Sequence, residues 1–350
     1  MLTEGTQSSR AIVRLACAAS ALCLCLATAG TPFVAHARTR IIDNLFGARL
    51  VTAQDGWVVG GFGAIYRTSD GGATWRPQTS NTTEQLFGVD LADTKHGWIV
   101  GRSGLILATT DGGETWRRQT SGTENHLFEV KVLDDQRVWI VGDWGTILQT
   151  TNGGQTWENR SLERDVILNG LTFADADHGW IVGEAGAILA TTDAGKTWTD
   201  QRSGVDKTLF SVFFETPQRG WATGIDGIIL HTEDGGQTWT AQNGNVEVGE
   251  LEQVGFDQAF GNPNVYDIAV VGQHGYAVGE NGSVFASKDG GATWERQTLP
   301  QESSLRWMRA VSLIPDSRGL FVGASGLTVR VDGTKLTSST SDEHATQAVH

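Results

Sequence analysis

Apolar and polar positions along this chain recur as a repeated phrase. Short runs rich in β-branched, aromatic and aliphatic residues alternate with turns of Gly, Asp, Asn and Ser, and no segment sustains a helical period. One apolar phrase reads GWVVGGFGAIYRT from Gly56 and returns from Gly97, Val138, Gly179, Gly220, Gly275 and Gly319. A second phrase, TSDGGATW, ends at Trp75, and its copies end at Trp116, Trp157, Trp198, Trp239 and Trp294. The first five tryptophans stand 41 residues apart. A further apolar strand begins eleven residues before the aromatic of the first phrase, as Phe46 before Trp57, Phe87 before Trp98, Phe128 before Trp139 and Phe210 before Trp221; Asn169, Val265 and Arg309 hold the same phase loosely. Each unit therefore predicts four short strands, and seven such units predict an all-β fold, a seven-bladed β-propeller of four-stranded blades. The expected blades lie near 45–80, 86–121, 127–162, 168–203, 209–243, 265–299 and 308–339, with an insertion at 244–264 and a polar tail at 340–350. The seventh unit is degenerate: Asp332 keeps the Asp position but no Trp follows. Residues 38–44 are expected to pair onto it and close the ring.

The phrase T-x-D-x-G-x-T-W is an Asp-box, and its residue types suit a hairpin turn. Asp70, Asp111, Asn152, Asp193, Asp234 and Asp289 can accept bonds from turn N–H groups, as Asx residues do. The glycines can take positive φ, the threonine hydroxyls brace the turn, and the tryptophans fill the space between blades. Residues that recur in every unit are thereby read as architecture.

Composition adds a compartment. Arg10 and Arg14 precede an apolar run from Leu15 to Gly30, and Ala35-His36-Ala37 offers a signal-peptidase site, so residues 1–37 read as a secretory signal with the mature chain beginning at Arg38. An uncleaved anchor is the alternative. Cys17, Cys23 and Cys25 all fall inside this run, which excludes disulfides, thiolate metal sites and cysteine nucleophiles from the mature chain. The full chain carries a formal charge of −14, and loss of two arginines and one glutamate with the signal leaves −15. Such a surface repels phosphate backbones, so nucleic-acid binding is not expected.

Seven Asp-box units with G-W-x-V-G-x-x-G-x-I-x-x-T between them, behind an export signal, resemble the photosystem II stability and assembly factor family, over about Ile41 to Leu336. The resemblance implies a non-catalytic propeller that holds a membrane-protein subunit during assembly, partly through an arginine-rich patch. Arg102, Arg76, Arg117, Arg118, Arg160, Arg164 and Arg202 are present here, but they form no dense run. The implied location is exported: the periplasm, the thylakoid lumen of a photosynthetic cell, or the exterior.

Positions that differ between units are the candidates for recognition. The variable pair of the G-x-x-G loop places Asp143, Glu184, Asp226 and Glu280 on one rim as an acidic arc, with Arg102, Asn281 and the aromatics Phe62 and Trp144 among them. The interval from Trp239 to Trp294 is 14 residues longer than the period, and the excess, carrying Glu250, Phe256 and Phe260, is a blade-to-blade connection expected on the same face. A basic or mixed polar and apolar protein partner follows. Arg49, Asp90 and Lys131 share one position in three consecutive units, with a parity that could point them into a central channel.

A glycoside hydrolase, sialidase-like or xyloglucanase-like, is the competing class. A sialidase needs a tyrosine nucleophile and an arginine triad, but only Tyr66, Tyr266 and Tyr276 are available and no three arginines align with them. Other glycosidases need two carboxylates about 5–10 Å apart, and Asp90 is the best candidate for one. His96, His126, His178 and His231 show no metal-ligand spacing. No cofactor, metal or catalytic residue is expected, and the mature protein is expected to be a monomer without stable membrane insertion.

Overall fold

The computed structural model describes residues 40–242, 262–299, 303 and 305–339. Seven four-stranded antiparallel sheets, each with its strands in chain order, form a seven-bladed β-propeller. The innermost strands are Leu45–Leu50, Leu86–Leu91, Leu127–Val132, Leu168–Phe173, Leu209–Phe214, Val265–Val271 and Met308–Ile314, for blades 1 to 7 in turn. Each packs beside the innermost strand of the next blade, and that of blade 7 packs beside that of blade 1.

The apolar core is divided among the blade interfaces. Seven buried clusters each draw on two adjacent blades; one, for example, unites Trp57, Val59 and Ile65 of blade 1 with Leu86, Ile99 and Trp116 of blade 2. This follows from the second strands, which in blades 1 to 5, from Gly56–Gly60 onward, are buried at every residue because both sheet faces meet a neighbour, and in blades 6 and 7 are buried at all but their first residue. Such strands read as continuous apolar runs.

Blade 7 is complete within itself, since Lys335–Ser338 supplies its fourth strand. Asp332 stands in its third strand and Gly333, at φ +62°, sits in a tight hairpin turn in place of a box. Ring closure accordingly differs from the expectation that residues 38–44 would add a strand. Of these, the described residues 40–44 form none and serve as a blade-to-blade connection: the Gly326 N–H donates to the Asp43 carbonyl at 2.7 Å, as Gly104 donates to Asn125 between blades 2 and 3. Ile41 is buried against Ala310, Leu320 and Val322, and the Leu50 N–H donates to Ser312 Oγ at 2.9 Å.

The boxes form closed hydrogen-bond rings. At Asp70, Oδ1 accepts from the Thr68 hydroxyl and the Thr74 N–H, both at 2.8 Å, while Oδ2 accepts from the Thr74 hydroxyl at 2.6 Å. Thr68 Oγ1 in turn accepts from the Gly72 N–H at 2.8 Å. Asn152 reproduces the network by donating from its amide to Thr156 Oγ1 at 2.9 Å. These bonds favour the ionised acid, and they hold Asp111, Asp193, Asp234 and Asp289 down to about 2. Trp75 and Trp116 are buried between blades, while Trp157, Trp198, Trp239 and Trp294 are partly buried against the same clusters.

A glutamine three residues after the box tryptophan staples three of the blade interfaces, whereas Gln201 Oε1 and Trp239 Nε1, in the same places between blades 4 and 5, are buried without partners. Gln78 Nε2 donates to the Gly112 carbonyl at 3.0 Å, and its Oε1 accepts from Trp116 Nε1 of the next blade at 3.1 Å. Gln119 accepts likewise from Trp157, and Gln242 from Trp294, each at 3.1 Å. Blade 3 has Arg160 at this place, and the Nε1 of Trp198 in blade 4 is buried without a partner.

Candidate functional site

One face of the propeller is built from the loops between second and third strands together with the blade-to-blade connections. The two sets are tied by backbone bonds in every blade, such as Gly61 N–H to Asn44, Asp143 to His126 and Glu184 to Ile167, at 2.9–3.0 Å. The first loop glycine permits this approach, because a Cβ on Gly60 would lie 2.0 Å from the Asn44 oxygen. The residue after each tie is left-handed in all seven blades: Phe62, Ser103, Trp144, Ala185, Asp226, Asn281 and Ser325 have φ between +50° and +59°.

Phe62 and Trp144 are the anomaly in that series. A bulky side chain at positive φ costs roughly 1–2 kcal/mol, and here no packing offsets it, since Phe62 is 83% and Trp144 61% exposed. Ile42, Ile167 and Leu305, in the connections, are also exposed. Among the described residues these five are the exposed large apolar side chains, and all five lie on this face.

The acidic arc is partly committed to the scaffold. Glu184 accepts from the Ile167 N–H at 2.9 Å, Glu280 accepts from the Tyr266 hydroxyl at 2.7 Å, and Asp226 pairs with Lys207 at 3.4 Å. Asp143 is pushed up by burial, with Glu184 and Asp165 adding to the rise and His126 opposing it. Arg102 and Asn281 stand in the same loops, while Arg76, Arg160 and Arg164 pair with Glu114, Glu158 and Asp200. Glu250, Phe256 and Phe260 lie outside the described residues. A cavity of about 840 Å³ between blades 4 and 5, lined by Ile188, Val205 and Ile228, reaches this rim at Glu184 and Asp226.

The same face opens into a central channel of about 360 Å³. Every innermost strand carries a bulge at its second residue, and the bulge turns that side chain toward the channel mouth. Phe46, Phe87, Phe128, Asn169, Phe210, Tyr266 and Arg309 thus form a collar. Trp307, Phe46, Phe87 and Phe128 make an unbroken aromatic arc, with centroids 5.9, 6.0 and 5.6 Å apart. On the opposite side the Arg309 guanidinium lies over Tyr266 at 4.9 Å and over Phe210 at 5.6 Å.

Beneath the collar lie Glu129 and Asp267 among Gly47, Gly88, Gly170, Ser211 and Ala310, and deeper still Arg49, Asp90 and Lys131. Innermost strands are sheet edges, so their unpaired N–H groups need acceptors from the preceding blade. Asp90 accepts from Val132 N–H at 2.8 Å and from Leu91 N–H at 2.9 Å, and it forms an ion pair with Arg49 at 2.9 Å. Asp267 accepts from Ser211 Oγ at 2.6 Å and from Val311 N–H at 2.8 Å. Glu129 is different: half-buried and enclosed by the wall, it has no cation within ion-pairing distance among the described residues. Burial first, then Asp267 and Asp90, push its carboxyl well above the usual carboxylate range, with Lys131 opposing.

The tyrosines a hydrolase would need are occupied. Tyr66 donates to Asp43 at 2.6 Å, Tyr276 is buried, and Tyr266, bound to Glu280, is pushed up to about 12 by burial and that bond. His96 and His178 bond Asp93 and Asp175 within their own turns.

Sequence reasoning missed the collar as a ring, Glu129 and the glutamine staple. The signals existed: aromatics at the second strand residue of several units, a glutamate where three units have glycine, and Gln three places after five of the six box tryptophans.

A sequence profile described as photosynthesis system II assembly factor YCF48 matches residues 36–120, 77–170, 119–199, 157–248 and 247–335. No curated protein sequence matches the chain. Among solved structures, YCF48 bound to D1 peptide superposes with a TM-score of 0.67 at 20% identity, over 85% of this chain and 94% of that one. YCF48 from Cyanidioschyzon merolae gives 0.63 at 21% identity, over 83% and 96%. The GH74 xyloglucanase from Xanthomonas campestris gives 0.66 at 13% identity, over 85% of this chain and 53% of that one. The structural likenesses establish the propeller fold, and the profile, spanning nearly all of the described residues, establishes the kinship: the chain belongs to the photosynthesis system II assembly factor YCF48 family.

Proposed function

We propose that this protein is an exported, non-catalytic scaffold that holds a membrane-protein subunit while a membrane complex is assembled, and that the partner docks on the face bearing the channel mouth. The observation that carries this reading is the gathering of Ile42, Phe62, Trp144, Ile167 and Leu305 on that face, two of them held in a left-handed backbone. Strain and exposure together oppose stability, and a partner that covers these side chains recovers both. A protein similar in fold is seen bound to a D1 peptide, which supports a D1-type subunit as the client. The pairing of the Tyr66, Tyr266 and Tyr276 hydroxyls within the chain and the commitment of Asp90 to the channel wall weigh against hydrolysis.

The test is binding of a labelled D1 peptide by fluorescence anisotropy, with co-purification of a membrane subunit from solubilised membranes. Phe62→Asn with Trp144→Asn should abolish both while the fold persists, because Asn tolerates the left-handed region. Unchanged binding by the double variant would sink the proposed face.

A further inference from the structure

We propose that the aromatic arc formed by Phe46, Phe87 and Phe128, with Glu129 beneath it, binds a guanidinium or ammonium group from outside the chain, contributed by a basic side chain of the docked partner. This deepens the partner-binding reading and rests on it for the identity of the cation's owner.

The propeller supplies its own internal comparison. In blades 5 to 7 the collar holds a complete set: two aromatic rings in contact, Phe210 and Tyr266 at 5.2 Å, a cation lying over both, Arg309, and a carboxylate at the next level of the channel, Asp267. In blades 1 to 3 the same strand positions hold rings in contact, Phe46, Phe87 and Phe128, and a carboxylate at the next level, Glu129, but no cation. Of the two carboxylates at that level, Asp267 is bound by Ser211 and by the Val311 N–H. Among the described residues, Glu129 meets only the N–H of Val130 in its own strand and keeps its remaining acceptor capacity for something that enters from the mouth.

The nearby cations do not fill the place. Arg49 is held by Asp90 at 2.9 Å, and Arg309 is held over the opposite rings. Lys131 lies one level deeper, opposite Trp139 in its strand pair where Glu129 is opposite Val141. A planar guanidinium or a compact ammonium on an apolar stem suits this site, because the ring faces attract positive charge and Glu129, releasing its proton to solvent as the cation enters, completes it. The chain's net charge of −14 favours a basic partner as its source.

Isothermal titration calorimetry of the full chain with N-acetyl-arginine amide tests the site directly, with N-acetyl-citrulline amide as the neutral counterpart. The arginine compound should bind at least roughly ten-fold more tightly than the citrulline compound, and Glu129→Gln should remove roughly that factor. Phe87→Leu, which keeps the channel apolar, should weaken binding several-fold and gives a second reading should the glutamine variant fold poorly. Equal binding of the two compounds, or affinity unchanged in both variants, overturns the inference. Partner capture that depends on Phe62 and Trp144 yet is indifferent to Glu129 would overturn it alone, leaving the docking face intact. Capture indifferent to Phe62 and Trp144 would remove the docking face, while preference for the arginine compound would still establish the cation site.

Discussion

The two ends of each blade use their residues in opposite ways. At the box end, six turns of nearly one sequence consume their own polar atoms, and the hydroxyl-to-carboxylate bond measures 2.6–2.7 Å at Asp70, Asp111, Asp193, Asp234 and Asp289. At the mouth end, seven loops share a backbone conformation and a glycine frame, while their side chains differ and the large apolar ones stand in solvent. A side chain saturated within its own turn has nothing to offer a partner. A side chain held against its conformational preference, with no packing to offset the strain, does.

The widest separation between the two ends should come from truncating a box tryptophan. Trp116→Ala opens the interface of blades 1 and 2 and should cost about 3–5 kcal/mol, read as a lower midpoint in urea, with partner affinity per folded molecule unchanged. Phe62→Asn should do the reverse. Relief of the left-handed phenylalanine should stabilise by about 1 kcal/mol in the same urea titration while partner binding is lost; a destabilised Phe62→Asn protein would refute the strain argument. Arg160→Gln sharpens the box end without touching the mouth. It should give Trp198 Nε1 the acceptor found in other blades and stabilise by about 1 kcal/mol, visible as a higher thermal midpoint.

The smallest effects should be opposite in sign with pH. The box carboxyls titrate lower in the fold, at about 2, than when unfolded, so their stabilisation is present above about 4 and is lost as pH falls toward 2. Asp111→Asn should flatten that acid limb, since the Asn152 turn already works without a charge. Glu129 titrates higher in the fold than its ordinary 4.5, so its contribution is present below that value and is lost as pH rises. Glu129→Gln should flatten this second limb. Stability measured by urea unfolding between pH 3 and 9 checks both, and a Glu129→Gln profile parallel to wild type would place the carboxylate in solvent.

Most of the architecture was legible because it repeats. A Trp interval and an apolar phrase fix four strands per blade whatever residues vary between them. What escaped the sequence escaped for local reasons. Residue type does not disclose positive φ at Phe62, Trp144 or Ala185, none of which favours that region. The bulge that aims Phe46 and its counterparts at the mouth is hidden, because Leu45 and Gly47 flank it as an ordinary strand would. The acidic arc could be read as a row of carboxylates, but not that Glu184 is spent on the Ile167 N–H. Asp90 gave the same ambiguity, resolved once its three wall contacts were placed.

The meeting of blades 7 and 1 has a consequence for the order of the chain. Asp43 and Ile41 serve there as any other connection serves, and each core slab belongs to two neighbours equally. The apolar slab at that interface is assembled as the other six are, although blade 7 brings no glutamine to Trp75. A circular permutant, joined from Ser339 to Arg40 and opened between another pair of blades, would therefore keep all seven slabs. What the sequence encodes is a cyclic order of blades, and the point at which it is cut is a property of the chain rather than of the fold.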